Sequence, residues 1–182
     1  MLVNPFDEKD AEALHRAGCR EVWFGLESGS PEILAHIGKG TNVGLTRRAF
    51  QVAREVGILR RAYVLLGTPP ETLATIRQTE ALIDEVQPDT VSFSILAPYP
   101  GTEYYDPESH AGLDWGKIDE YGGPANPWRS EALTHAELVS EQLRLIERYR
   151  GNLSSIIRKK IALGIINENE IQLTDFQPDR CE

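Results

Sequence analysis

Apolar residues fall in two rhythms along the chain. Compact apolar blocks at residues 21–26 (EVWFGL), 59–66 (LRRAYVLL) and 90–96 (TVSFSIL) predict strands. Longer amphipathic stretches between them predict helices. Asp7 caps a helix over residues 8–17 that ends at Gly18, and Ser30-Pro31 opens a short helix running to Ile37. A third helix covers 43–56 and stops at Gly57. A fourth runs from Pro70 to Val86, with Leu73, Ile76, Leu82, Ile83 and Val86 near one face. Strands that alternate with helices across short turns imply a parallel sheet in an α/β fold. Strands written as apolar blocks imply that both sheet faces are covered.

The pattern changes after residue 96. Residues 97–130 are rich in proline and glycine, a long loop of the kind that is functional or poorly ordered. A strongly amphipathic helix follows at 134–149, then a second over about 152–163 with Arg158, Lys159 and Lys160. The last fifteen residues are polar and expected to fray. The division expected is 1–106 for the strand–helix layer and 107–182 for the loop and C-terminal helical segment.

Length sharpens this. The chain has 182 residues, whereas a complete eight-stranded (β/α) barrel takes about 250. Three strands in the first half therefore fit an open sheet or part of a barrel. There are 19 Lys+Arg against 28 Asp+Glu, a net charge of −9, which argues against nucleic acid as a partner. No apolar run approaches the roughly 20 residues of a membrane span, and the acidic start MLVNPFDEKD is unlike a signal peptide. Cys19 and Cys181 are too few for a disulfide scaffold, and Cys19 reads as a buried structural thiol. The expected location is cytoplasmic.

Candidate chemistry lies in the three turns after the strands, because parallel α/β folds bind ligands at the C-terminal strand ends. The first is Gly25-Leu26-Glu27-Ser28-Gly29-Ser30, whose glycines let backbone approach a ligand and whose Glu27 carboxylate accepts two hydroxyl hydrogen bonds. Its plainer reading is a solvated Glu27 with Ser28 or Ser30 capping the next helix. The second is Leu66-Gly67-Thr68-Pro69-Pro70-Glu71-Thr72, either a site for a polar group at a helix start or a simple connection with Glu71 in the first helical turn. The third, Ala97-Pro98-Tyr99-Pro100-Gly101-Thr102, is a stiff connector with an aromatic face. The sequence has no Cys-x-x-Cys, His-x-x-x-His, nucleophile elbow or Walker loop, and His15, His36, His110 and His135 are scattered.

Together, AGCREVWFGLESGSPEILAHIGKG, AREVGILRRAYVLLGTPPET and PDTVSFSILAPYPGTEYYD resemble the second half of a radical S-adenosylmethionine (SAM) barrel over about residues 8–106. The variety most resembled carries a cobalamin-binding domain and includes relatives of methyltransferases and the anaerobic Mg-protoporphyrin cyclase. The resemblance implies a partial (β/α) TIM-type barrel whose parallel strands match the fourth to sixth. It also implies that Glu27, with Ser28 beside it, holds the SAM ribose hydroxyls and that Lys39 pairs with the SAM carboxylate. Val64, Leu65, Leu66 and Gly67 would form the wall and close backbone at the adenine. Tyr63 would reach the methionine part, and Leu96, Pro98 and Tyr99 would lie beside the adenine.

That family's Cys-x-x-x-Cys-x-x-Cys motif for a [4Fe–4S] cluster is absent, as are the Gly-Gly-Glu strand and a cobalamin domain. The resemblance therefore implies the C-terminal portion of an enzyme that cleaves SAM reductively or transfers methyl groups with cobalamin. Without three thiolates the isolated chain cannot hold the cluster. Its expected partners are SAM, an unknown substrate, and an N-terminal half of the same enzyme or a second copy, since an open barrel exposes an edge strand and inner residues such as Trp23, Tyr63 and Phe93. Two other readings stand beside it: a glycoside hydrolase-like barrel using Glu27 and Glu71, and a non-catalytic scaffold that binds a partner through the 134–149 helix.

Overall fold

A computed structural model describes residues 3, 6–118, 126, 128–150 and 153–166. Its elements in chain order are α1 (Glu8–Arg16), β1 (Glu21–Glu27), α2 (Pro31–Ile37), α3 (Val43–Glu55), β2 (Leu59–Leu66), α4 (Leu73–Val86), β3 (Thr90–Ile95), α5 (Pro107–His110), α6 (His135–Tyr149) and α7 (Leu153–Ala162). The chain divides into two compact units, Met1–Arg150 and Gly151–Glu182, and α7 is the described helix of the second. Cys181 and the polar tail lie outside the described residues.

The three strands form one parallel sheet in the order β1-β2-β3. The expected strands match to within a residue, and helix starts follow capping chemistry. Asp7 and Asp10 form a reciprocal capping box on α1, Asn42 caps α3, and Thr134 and Glu137 cap α6. The fourth helix departs from expectation. It begins at Leu73 and not at Pro70, because Thr72 and Thr75 build the capping box and Pro69–Glu71 are spent in the preceding turn.

The sheet is two-faced. Val22, Phe24, Leu26, Ala62, Val64, Leu66, Phe93 and Ile95 are buried in the core shared with Ala49, Phe50, Ile76, Ile83, Leu138 and Leu145 of the covering helices. Trp23, Gly25, Arg61, Tyr63, Leu65, Ser92 and Ser94 alternate with them and remain partly open. The expectation of two covered faces is thus corrected: among the described residues of the first unit, helices cover one side only. Phe93 also moves: the pleat turns it into the core, 3% exposed, where it meets Tyr149 at 5.9 Å, while Ser92 and Ser94 take the open face. On that face Arg61 stacks over Trp23 at 4.8 Å, and Trp23 meets Tyr63 at 5.9 Å.

Helix α6, expected at 134–149 as a partner-binding element, packs on β3. It is tied to α4 by ion pairs around the nearly buried Glu80, which meets Arg144 at 2.7 Å and Arg148 at 3.6 Å. Leu143 and Ile146 stay on its exposed side. A second ion pair, Arg60–Asp89 at 2.9 Å and almost fully buried, closes the N-terminal end of the sheet. Cys19 is only partly buried, and its thiol donates to the Glu21 carbonyl. No helix among the described residues is long and apolar enough to cross a membrane.

Candidate functional site

The end of β1 breaks register between Gly25 and Glu27, which pair with Tyr63 and Val64. Leu26 is spent on the core, and Glu27 takes φ +62, left-handed backbone that costs a non-glycine residue of order 1–2 kcal/mol. The turn folds the carboxylate back over Gly25, where an added Cβ would stand 2.5 Å from Glu27 Oε1. Lys39, on the turn after α2 and next to the left-handed cap Gly38, donates from Nζ to Glu27 Oε1 at 2.6 Å. The Lys39 side chain is 47% exposed and that of Glu27 12%. Two residues twelve positions apart, each expected to hold a different part of one ligand, are therefore brought together.

Neighbouring residues of the same turn face elsewhere. Ser28 is buried, with its hydroxyl 3.0 Å from Thr79 Oγ1 and accepting the Ser30 N–H. Gly29 donates its N–H to Thr79 Oγ1, and a Cβ there would lie 2.3 Å from the Gln78 carbonyl oxygen. The glycine needed for close approach serves helix α4, not an incoming ligand.

At the end of β2, Tyr63 and Leu65 look onto the open face, whereas Val64 and Leu66 are buried in the core. Gly67 turns at φ +88. Its N–H donates to Glu71 Oε2, and Glu71 is fully buried with Oε1 unpartnered. Burial pushes the Glu71 carboxyl up to about 7, against the pull of backbone N–H bonds from Gly67 and Thr68. A carboxylate enclosed in its own turn cannot face Glu27 across a cleft, so the Glu27/Glu71 hydrolase pair is not formed.

At the end of β3, Leu96 donates its N–H to the Leu66 carbonyl at 2.8 Å. Leu96 and Pro98 are buried, while Tyr99 is 42% exposed, 6.3 Å from Trp115, and donates its hydroxyl to the Ile118 carbonyl. Residues that the sequence reading passed over then cross the strand ends. Asn126 Nδ2 donates to the Leu96 carbonyl at 3.2 Å, and the Trp128 indole N–H donates to the Gly67 carbonyl. Ser130 Oγ donates to the Glu71 carbonyl at 3.0 Å, and Glu131 N–H to the Pro69 carbonyl at 2.9 Å. The sequence signal was one of two tryptophans in a proline- and glycine-rich loop, two residues after an asparagine, which names no partner. Among the described residues no group of His, Cys, Asp and Glu is arranged to hold a metal ion.

Residues 1–83 match the family model described as the radical SAM superfamily. The chain is 36% identical over 104 residues to an uncharacterised methyltransferase of Pyrococcus horikoshii, covering 57% of this chain and 23% of that protein. A solved radical SAM methyltransferase from Kitasatospora setae, with cobalamin and a [4Fe–4S] cluster bound, is 32% identical over 52% of this chain and 19% of its own, with a TM-score of 0.48. Coproporphyrinogen III oxidase from Escherichia coli, a radical SAM enzyme, matches 82% of this chain and 31% of its own with a TM-score of 0.58 and 15% identity. That last likeness is one of fold and makes the three-stranded layer a radical SAM-like partial barrel. The chain spans about a quarter of the length of the curated relative it matches.

Proposed function

We propose that this chain is the SAM-binding half of a radical SAM barrel, its strands corresponding to the fourth to sixth, in an enzyme of methyl-transfer type. The observation that carries the reading is the Glu27–Lys39 pair at the C-terminal rim of a parallel sheet whose first two strands lie within the segment that matches the superfamily model. A ribose diol is a double donor and suits a carboxylate, which only accepts; a methionine carboxylate suits an ammonium, which only donates. In the free chain the two groups satisfy each other. SAM offers each a replacement of the same hydrogen-bonding sense, so the exchange strands neither charge. Tyr63 and Leu65 on the open face, and the Gly67 turn, would line the rest.

Bound SAM supplies either a 5′-deoxyadenosyl radical after reductive cleavage or a methyl group. The residues present do not fit the cluster that drives the cleavage, because two cysteines cannot supply three thiolates. The reading therefore calls for cysteine-bearing strands from another segment or chain, placed against the β1 edge and the open face around Trp23. The curated methyltransferase relative supports the methyl-transfer class, and cobalamin belongs to the proposal through the resemblance of the three strand-end turns.

Calorimetric titration of SAM and 5′-deoxyadenosine tests the site, with the chain joined to its cysteine-bearing half. Two charge-assisted bonds of roughly 1.5–3 kcal/mol each make Glu27→Ala lose more than a hundredfold in affinity for both ligands. Lys39→Ala weakens SAM alone, because 5′-deoxyadenosine has no carboxylate. Equal SAM affinity of wild type and Glu27→Ala overturns the assignment.

A further inference from the structure

The Gly67 peptide is gripped from both sides by side chains that lie off its strand. Glu71 Oε2 takes its N–H, and the Trp128 indole N–H reaches its carbonyl from 61 residues away. Trp128 is itself fixed at three further points, one of them through an anchored Asn126. Its N–H donates to Asn126 Oδ1 at 3.0 Å, its carbonyl lies 3.1 Å from His135 Nδ1, its ring meets Tyr104 edge-on at 5.6 Å, and Asn126 is anchored to Leu96. A carbonyl only accepts, so His135 Nδ1 is the donor in that contact. The space is made to measure: a Cβ on Gly67 would stand 3.2 Å from Trp128 Cδ1 and 3.0 Å from Leu138 Cδ1.

We propose that Trp128 is a positioning residue for the nucleoside part of SAM, acting through the Gly67 peptide, and that Asn126, which holds the Trp128 backbone, thereby bears on the SAM site. This rests on the reading of Gly67 as the close backbone beside the adenine. A glycine samples both signs of φ, so an unheld Gly67 would have to be ordered at each binding event. Two side-chain hydrogen bonds fix the peptide plane beforehand, and preorganisation of this kind appears in affinity. The coupling is reciprocal: whatever fixes Trp128 tightens SAM, and SAM fixes Trp128 to the same degree.

The test is nuclear magnetic resonance on the ¹⁵N-labelled chain, joined as before to its cysteine-bearing half and titrated with 5′-deoxyadenosine and with SAM. The Gly67 amide and the Trp128 indole N–H resonances are expected to move together, with one apparent Kd. Trp128→Phe keeps a ring against Tyr104 but removes the donor, and is expected to weaken both ligands about tenfold. Asn126→Ala, which frees the Trp128 backbone without touching the indole, gives a smaller loss in both and serves if Trp128→Phe does not fold. Glu71→Gln retains an acceptor for Gly67 and binds more tightly than Glu71→Ala. If wild type binds and Trp128→Phe or Asn126→Ala binds within twofold of it, the positioning role is overturned and the SAM reading stands. If neither Glu27 nor Gly67 responds to saturating ligand in the wild type, the SAM reading falls and the positioning role with it.

Discussion

Two glutamates follow two adjacent strands of one sheet and lead opposite lives. Glu27 ends β1 on left-handed backbone, with its carboxylate on the rim and a half-exposed lysine as its partner. Glu71 follows β2 and is sealed inside its turn, with backbone N–H groups as partners. Residue type does not separate them. The separation comes from the chain between strand and carboxylate: Glu27 closes its strand directly, whereas Thr68-Pro69-Pro70 carries Glu71 back beneath Gly67. The first is placed to exchange its partner for a ligand, the second to hold a turn.

The largest effects are expected at the buried member. Glu71→Ala leaves the Gly67 and Thr68 amides without their acceptor and is expected to cost about 3 kcal/mol of unfolding free energy, read from the denaturant midpoint at pH 6. Comparable damage is expected from Gly29→Ala, because its Cβ meets helix backbone that cannot yield. Thermal unfolding of that variant checks it, and a wild-type midpoint would mean that α4 does shift.

The pH dependence comes next. A carboxyl raised from 4.5 to about 7 in the folded chain makes the folded state hold more protons than the unfolded state between those values. Stability from this group is therefore full below about pH 4.5, declines as pH rises through 7, and is lost above it, to a total of about 3 kcal/mol. Glu71→Gln does not titrate, so its denaturant midpoint should overtake that of wild type between pH 5 and pH 8. Parallel profiles would show that Glu71 ionises normally.

Smaller still are the effects at the rim. Gly25→Ala presses only on the flexible Glu27 carboxylate. It should change stability by less than about 1 kcal/mol while weakening SAM, since the carboxylate must move. Glu27→Asn, which tolerates left-handed backbone and gives up one surface ion pair, should stay within about 0.5 kcal/mol of wild type. Calorimetric unfolding of both against Glu71→Ala is the direct contrast. A loss at Glu27 as large as at Glu71 would erase the distinction drawn here.

Much of the scaffold was legible in the sequence because it is local. β-rich apolar blocks, capping residues and glycine stops mark each strand and helix within a few positions. The start of α4 was misplaced because a proline pair reads equally well as a first helical turn or as the turn before it. Which side of each strand faces the helices was not legible, and Phe93 in TVSFSIL went to the wrong face. Sidedness depends on what lies against the other face of the sheet, not on the strand's own letters. Glu27 and Lys39 were legible as a pair of roles through the resemblance, but their contact was not. Trp128 was missed for a stronger reason: its partner Gly67 is 61 residues away, and no periodicity connects a loop tryptophan to a strand-end carbonyl.

The hydrogen bond from Asn126 to Leu96 joins two ends of a loop 30 residues apart in sequence. A closed loop of that kind behaves as a replaceable cassette. Doubling the length of chain between pinned ends adds only about 0.6 kcal/mol of closure entropy, and the strain of an insertion stops at the pins. Descendants of such a chain can rewrite the segment between the pins while the strand ends keep their shape. The freedom to diversify is housed in the loop, and its permission comes from an asparagine and a leucine.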